Sequence, residues 1–344
     1  MAECEIFFVS SQRESHPIVN QMKNILTFTP VYVRLIWGGD RIARFKGIES
    51  QGPDVGESWE LSPMPGHESV VDRGEFKGLN LNQLIDKYGN DIMGKRLYER
   101  YEGKFPLLIK FIDSKSDLSI QVHPDDELAA VTEHKRGKTE MWYSIDPDEG
   151  AYLYAGFKGE ESPESLKAKI EDSTIVESLA KYYTKPGDVF FLPAGCVHAI
   201  GQGNFVAEIQ EASDVTYRIF DYNRKGADGK PRELHVEKAM VATKYDNSDL
   251  AKPINVTAAP DTEAPMVHCS FFNTDLINVD PEMNLDLKAR DSFSVFITVS
   301  GELTFSAEGN APLTVGRGTT ILVPASVDSI KVTGKGEMIS VYVP

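Results

Sequence analysis

The sequence predicts a mainly β protein made of two β-sandwich or barrel units, with helices added to the first. Three observations predict it. Short runs rich in β-branched and aromatic residues, bounded by Gly and Pro, dominate the chain and fill Val267 to Pro344 almost without a break. A spacing recurs: Gly187, five residues, Pro193, four residues, His198, and again Gly318, five residues, Pro324, four residues, Ser329. Finally, 344 residues exceed what one ordinary core organises. The second copy of the repeat keeps the glycine turn and the proline but puts serine in the histidine place. Two similar β units follow, of which only the first is expected to bind metal.

The elements can be taken in order. Residues 1–30 read as an extension, with a possible strand in EIFFVS and a possible helix from His16 to Leu26. VYVRLIWGGDRIARF reads as strand, turn, strand, broken at Gly38-Gly39. GESWELSP is a short strand ending at proline. Asn80 to Tyr101 has apolar residues at helical spacing interrupted by glycine, which predicts two short helices. FPLLIKFID is a buried strand, followed by a SKSD turn and a strand in LSIQVHP. Asp125 to Lys135 opens with acidic residues after Pro124 and predicts a helix. Ser162 to Tyr183 predicts another, capped by Ser-Pro-Glu. KPGDVFFLPAG, VHAIG, NFVAEIQEAS and VTYRIFDY return to strand. Asn223 to Pro231 is a Gly- and Lys-rich loop, and RELHVEKAMVAT is a helix closing the first unit, residues 1–246. KPINVTAAPDTEAP, with three prolines, reads as a linker opening the second unit, residues 247–344.

Composition narrows the function. A hydrophobic content of 41% and a charged content of 26% are ordinary for a globular chain. The net charge of −16 argues against nucleic acid and against an anionic membrane surface. An anionic small molecule remains possible if cations gather locally, which draws attention to Lys110, Lys138 and Arg218. Cys4, Cys196 and Cys269 are odd in number and widely spaced, without a CxxC pair, as in a reducing compartment. The acidic N-terminus is unlike a signal peptide, and no run approaches the ~18 apolar residues of a membrane span. A cytoplasmic location is expected.

The chemistry gathers in Leu118 to Tyr143. Along LSIQVH, Ser119, Gln121 and His123 share one strand face, and along KTEMWYSI so do Lys138, Glu140 and Trp142. Adding His198 from the first repeat makes a set of nitrogen and oxygen donors without thiolate. Such a set suits a borderline divalent metal, zinc first, with Mn, Co or Fe behind it. Lys110 is a lysine inside an apolar strand, costly to bury unpaired. Each residue also has a plainer reading. A lone His-Pro is usually a turn, GKTE a solvated loop, and Glu208 with Arg218 an ordinary cross-strand ion pair. Trp142 and Tyr143 read as core. His16, His67, His134, His235 and His268 lie outside the constellation.

These motifs resemble those of the cupins, small jelly-roll barrels whose two motifs deliver metal ligands to the interior. Gly187, Pro193 and His198 meet the second motif, although its usual final asparagine is Gln202 here. The first motif departs from the common pattern, with Gln121 and His123 as its pair and Glu140 after a longer insert. That departure is similar to one family, the short bacterial form of the type I mannose-6-phosphate isomerases. WGGDRI, GESWELS, FPLLIKFID, LSIQVHPDDE, GKTEMWY, LPAGCVHAIG, EIQEASDVTYRIFDYNR and RELHVEKA carry the resemblance.

The resemblance implies one Zn2+ on Gln121, His123, Glu140 and His198, and active-site cations Lys110, Lys138 and Arg218. It also implies Ser119, and Glu208 if one residue is inserted. The implied reaction interconverts mannose 6-phosphate and fructose 6-phosphate by proton transfer through an enediol(ate). Glu208 and Lys138 are then base candidates, Arg218 a clamp, and Lys110 and Ser119 phosphate contacts. The alternative is a cupin that binds metal or sugar without turnover. The polar groups around the ligands favour catalysis, since storage needs none of them.

Overall fold

The computed structural model describes residues 21–226, 229–246 and 251–344. The expected strand in EIFFVS and most of the expected first helix lie outside the described residues, and residues 21–25 carry no regular structure. The chain then forms β1 (Leu26–Thr29), β2 (Val31–Gly39), α1 (Arg41–Lys46), β3 (Val55–Leu61) and β4 (Val70–Val71). The expected second strand in DRIARF is instead the helix α1. Its own Asp40 provides no side-chain cap. The distant Asp113 does, accepting from the Arg41 backbone N–H at 2.7 Å and from Arg41 Nε at 2.8 Å.

Helices α2 (Leu81–Met93) and α3 (Lys95–Arg100) follow as expected, with a reciprocal Asn80–Gln83 capping box at the start. Next come β5 (Leu107–Ser114), β6 (Ile120–Val122), α4 (Asp126–Thr132), β7 (Glu140–Ser144), β8 (Tyr152–Phe157) and α5 (Pro163–Glu171). The expected long helix stops there. Ser173 takes φ +65°, a short 3-10 turn follows, and Leu179–Tyr183 forms the strand β9. β10 (Asp188–Leu192), β11 (His198–Ile200), β12 (Asn204–Glu211), β13 (Tyr217–Phe220) and α6 (Val236–Ala242) complete this part. The rest is strand: β14 (Ile254–Asn255), β15 (Thr262–His268), β16 (Asn273–Val279), β17 (Glu282–Asp286), β18 (Ser294–Ser306), β19 (Leu313–Gly316), β20 (Thr320–Val323) and β21 (Ser329–Tyr342). β14 and β15 occupy much of the stretch expected as linker.

The strands form three sheets. One runs β13-β6-β11-β8-β9, a second β14-β10-β7-β12-β5-β2-β3, and a third contains β15 to β21, joined by β1 and β4. Alternation makes the second sheet the middle layer. Leu107, Ile109 and Phe111 of β5 pack with α2, α3 and the third sheet, while Ile112 joins a core shared with the first sheet. The outer face of the first sheet is covered by α5 and α6, through Leu166, Ile170, Ala239 and Ala242. The third sheet closes over its own core, lined by Phe296, Leu303, Phe305 and Ile330.

The sequence repeat is also a structural one. Gly187 and Gly318 take φ +84° and +79°, a left-handed conformation that favours glycine. Each precedes a strand, then a proline whose carbonyl accepts from the residue three on, Cys196 or Val327, at 3.0 Å. His198 and Ser329 each open the next strand. His198 is buried and Ser329 exposed.

Candidate metal centre and pocket

Strand pairing brings the candidates together from both inner sheet faces. β6 lies between β11 and β13, so Gln121 sits opposite His198 on one side and Arg218 on the other. In the facing sheet, Trp59, Lys110, Glu208 and Trp142 stand abreast across β3, β5, β12 and β7. Glu140 opens β7 opposite Leu192 and Gln210. Ser119 and His123 flank β6, and Lys138 precedes β7, its N–H donating to the Pro124 carbonyl at 3.0 Å.

His123, Glu140 and His198 converge, with donor atoms all within 4.8 Å of one another, and all three are buried. His123 Nδ1 is 2.8 Å from the Val215 carbonyl and His198 Nδ1 is 2.9 Å from the Cys196 carbonyl. Each Nδ1 therefore carries the proton, and each Nε2 turns a lone pair inward. The inward atoms lie 3.5 Å and 3.3 Å from the two Glu140 oxygens. Gln121 places its amide 3.3 Å from His198 Nε2. Exchanging the near-identical ends of that amide brings its carbonyl oxygen to the same spot.

The group fits a metal ion on its own chemistry. Among the described residues, His123 Nε2 and Glu140 Oε1 are shielded from solvent without a hydrogen-bond partner, while Glu140 Oε2 faces the Lys138 ammonium. Such atoms are rare in folded proteins, and this arrangement is one that could hold a cation. Burial first, then the Lys138 charge, pushes the His123 pKa well below its ordinary value. Burial pushes His198 down to about 4. Both imidazoles are therefore neutral at neutral pH, the form that ligates metal.

Above this group opens a pocket of about 360 Å³ lined by Lys110, Ser119, Gln121, Lys138, Glu208 and Arg218, with Trp37, Trp59 and Trp142 among its apolar walls. Lys138 Nζ is 3.1 Å from Glu140 Oε2. Lys110 Nζ donates to Glu208 at 3.1 Å and lies 3.7 Å from Glu57. Burial opposes the Lys110 charge, but Glu208 and Glu57 outweigh it and hold the ammonium above the usual lysine value. Burial likewise opposes charge on Glu208. Lys110 and Lys138, with bonds from Lys110 and Trp142, pull its carboxyl below the usual range.

Arg218 Nε donates to Ser119 Oγ at 3.3 Å and Nη1 to the Glu233 carbonyl at 2.9 Å. The ordinary Glu208–Arg218 pair weighed from sequence is thus replaced by Glu208–Lys110 and Arg218–Ser119. Trp142 is core, as expected, and also donates to Glu208 at 3.0 Å. His235, expected outside the site, accepts from the Arg218 backbone N–H at 3.2 Å. Sequence reasoning missed Glu57, Trp59 and Arg232 in the pocket wall. Arg232 stood in the RELHVEKA block, which was its one visible signal.

The sequence matches the family described as phosphomannose isomerase type I, catalytic domain, over residues 25–158, and the mannose-6-phosphate isomerase cupin domain over residues 262–343. The mannose-6-phosphate isomerase ManA of Bacillus subtilis is 34% identical over 91% of this chain and 97% of its own length. The mannose-6-phosphate isomerase of Streptococcus mutans is 32% identical over 89% of this chain and 94% of its own. A solved structure of the mannose 6-phosphate isomerase from Bacillus subtilis superposes with a TM-score of 0.82 at 28% identity, covering 93% of this chain and 99% of that one. With the ligand group and the cupin repeat already in place, these likenesses show that the chain belongs to the type I mannose-6-phosphate isomerase family.

Proposed function

We propose that this chain interconverts mannose 6-phosphate and fructose 6-phosphate, moving a proton between C2 and C1 through an enediolate. The carrying observation is the convergence of His123, Glu140 and His198 beneath a pocket walled by Lys110, Ser119, Lys138, Glu208 and Arg218. We assign one zinc ion to His123, Glu140, His198 and Gln121. A neutral amide as fourth donor leaves more positive charge on the ion than a second carboxylate would. When bound, the ion supplies positive charge beside the C1 and C2 oxygens.

The chain's own groups do the rest. The carbonyls of Val215 and Cys196 fix both imidazole tautomers. Arg218 cannot give up its proton, and its bond to Ser119 holds it as a clamp on the developing negative charge. Lys138 and Glu208 are the groups placed to move the proton. Glu208 is ionised across the neutral range, and Lys110 tempers its basicity. Lys110 and Ser119 contact the substrate. Catalysis belongs to the first unit, residues 1–246, because the whole site lies within it. The second unit, residues 247–344, with Ser329 exposed, serves as a support without metal.

A coupled assay for fructose 6-phosphate, run with elemental analysis, tests the reading. Chelation should abolish activity and added zinc restore it. Full activity in protein stripped of metal would refute it.

A further inference from the structure

The pocket holds more positive charge than proton transfer uses. Arg232 lines it together with Ser119, Gln121 and Arg218. Its guanidinium grips Asp221 two-pronged, with Nε 2.7 Å from Oδ2 and Nη2 on Oδ1. Arg224 holds the same carboxylate, Nη2 to Oδ1 at 2.5 Å, and also donates to the Asp117 carbonyl. Asp221 is 4% exposed and directly follows β13. Among the described residues, the Arg218 side chain bonds two neutral oxygens, the Ser119 hydroxyl and the Glu233 carbonyl. The Glu233 carboxylate itself turns to solvent, with its side chain 84% exposed. Three guanidiniums therefore share one buried carboxylate, and they feel one another: burial first, then Arg232, lowers the Arg218 pKa.

The acidic groups of the pocket wall do not cancel this excess. Glu208 and Glu57 face Lys110, and Asp214 pairs with Lys135 at 2.6 Å. Conversely, Lys110 has little charge left for an anion. Asp221 also lies away from the two histidines and Glu140, although Arg218 stands opposite Gln121. β13 runs antiparallel to β6, with Tyr217 opposite Val122 and Phe220 opposite Ile120, so it recedes from His123. At ~3.3 Å per residue, Asp221 lies about 10 Å along the strand from Arg218. A six-carbon sugar held by its C1 and C2 oxygens at the ligand group would extend through the pocket that Ser119, Gln121 and Arg232 all line.

We infer that Arg232 is the clamp for the phosphomonoester of the substrate, and that Asp221 is its positioning residue. A planar guanidinium with its orientation fixed matches phosphate oxygens better than a mobile lysine does. The naming of the substrate rests on the isomerase reading; the anion site rests on the arginine cluster.

The test is titration of the zinc-loaded full chain with inorganic phosphate, followed by calorimetry, alongside steady-state kinetics on mannose 6-phosphate. Arg232→Ala should weaken phosphate binding roughly 10- to 100-fold, the range for losing charged hydrogen bonds. KM should rise far more than kcat falls. Asp221→Asn should move both quantities in the same direction by less, with metal content unchanged. Should Arg232→Ala fail to fold, Arg232→Lys decides, since it keeps the charge but loses the fork. Weaker phosphate binding at an unchanged melting temperature supports the clamp, and wild-type affinity overturns it. If the wild type binds phosphate through Arg232 yet does not isomerise mannose 6-phosphate, the clamp stands and the isomerase reading falls.

Discussion

His198 opens β11 with its Nδ1 proton already committed to the Cys196 carbonyl two residues back. The repeat therefore fixes both where the imidazole sits and which nitrogen faces the centre. His198→Ala should lose metal and activity together, with the rate down by about 100-fold or more, the scale of losing a charge-stabilising group. Elemental analysis and the coupled assay check this, and full metal occupancy in the variant would remove His198 from the ligand set. Glu211 gives a second test at this scale. It is 3% exposed, and Oε1 accepts from the Thr139 N–H at 2.8 Å while Oε2 has no hydrogen-bond partner among the described residues. Burial, with Asp126 adding, pushes its pKa up to about 7. Below the unfolded value both states are protonated. As pH rises toward 7 the unfolded chain releases this proton while the fold keeps it, so stability falls, by up to about 3 kcal/mol. Glu211→Gln should raise the melting temperature at pH 8 by several degrees, with the gain vanishing near pH 4. A gain independent of pH contradicts the titration of Glu211.

At the scale of elements, local pattern succeeds where the partners are local. The Asn80–Gln83 box starts α2, and Ser162 caps α5 by accepting from the Ser165 N–H at 3.2 Å. It misleads where the partner is distant. Leu166 and Ile170, and again Ile175 and Leu179, stand four apart, so helical spacing recurs past the point where the helix ends. Ser173 breaks the rise with its left-handed turn, and Leu179–Tyr183 then finds β8. The reverse occurs at α1, whose cap Asp113 lies 72 residues away. Gly39 permits this contact, since a Cβ there would stand 2.1 Å from the Asp113 carboxylate. Asp113→Ala should cost roughly 1–3 kcal/mol, because it takes the acceptor from the Arg41 amide and Nε while Asp148 and the Asn204 carbonyl still hold the guanidinium. Denaturant melts and hydrogen exchange of Arg41–Lys46 measure it, and unchanged exchange there rules out the long-range cap.

At the scale of the molecule, the two units are interlaced. Strand β1 pairs with β20 and belongs to the C-terminal sheet, while β14 pairs with β10 in the middle sheet. One core runs from Met22 through Ile109 and Phe205 to Val343. A fragment of residues 1–246 would expose that core face, so it should collapse or aggregate and not fold by itself. The full chain should melt in one transition by calorimetry, and two well-separated transitions would show that the units are independent.

The sequence by itself determined the candidate group Gln121, His123, Glu140 and His198 and the β architecture, because these depend on short spacings. A glycine turn, five residues, a proline, four residues and a histidine are enough to aim one imidazole. Period-two alternation is enough to put Gln121 beside His123 and Glu140 beside Trp142. Tertiary structure alone decided which charges neutralise one another. Lys110 meets Glu208 only because β5 and β12 pair in that register, and Arg232 returns to the pocket only because Asp221 holds it. Such pairings depend on distances through space between residues far apart in the chain, which no local pattern records.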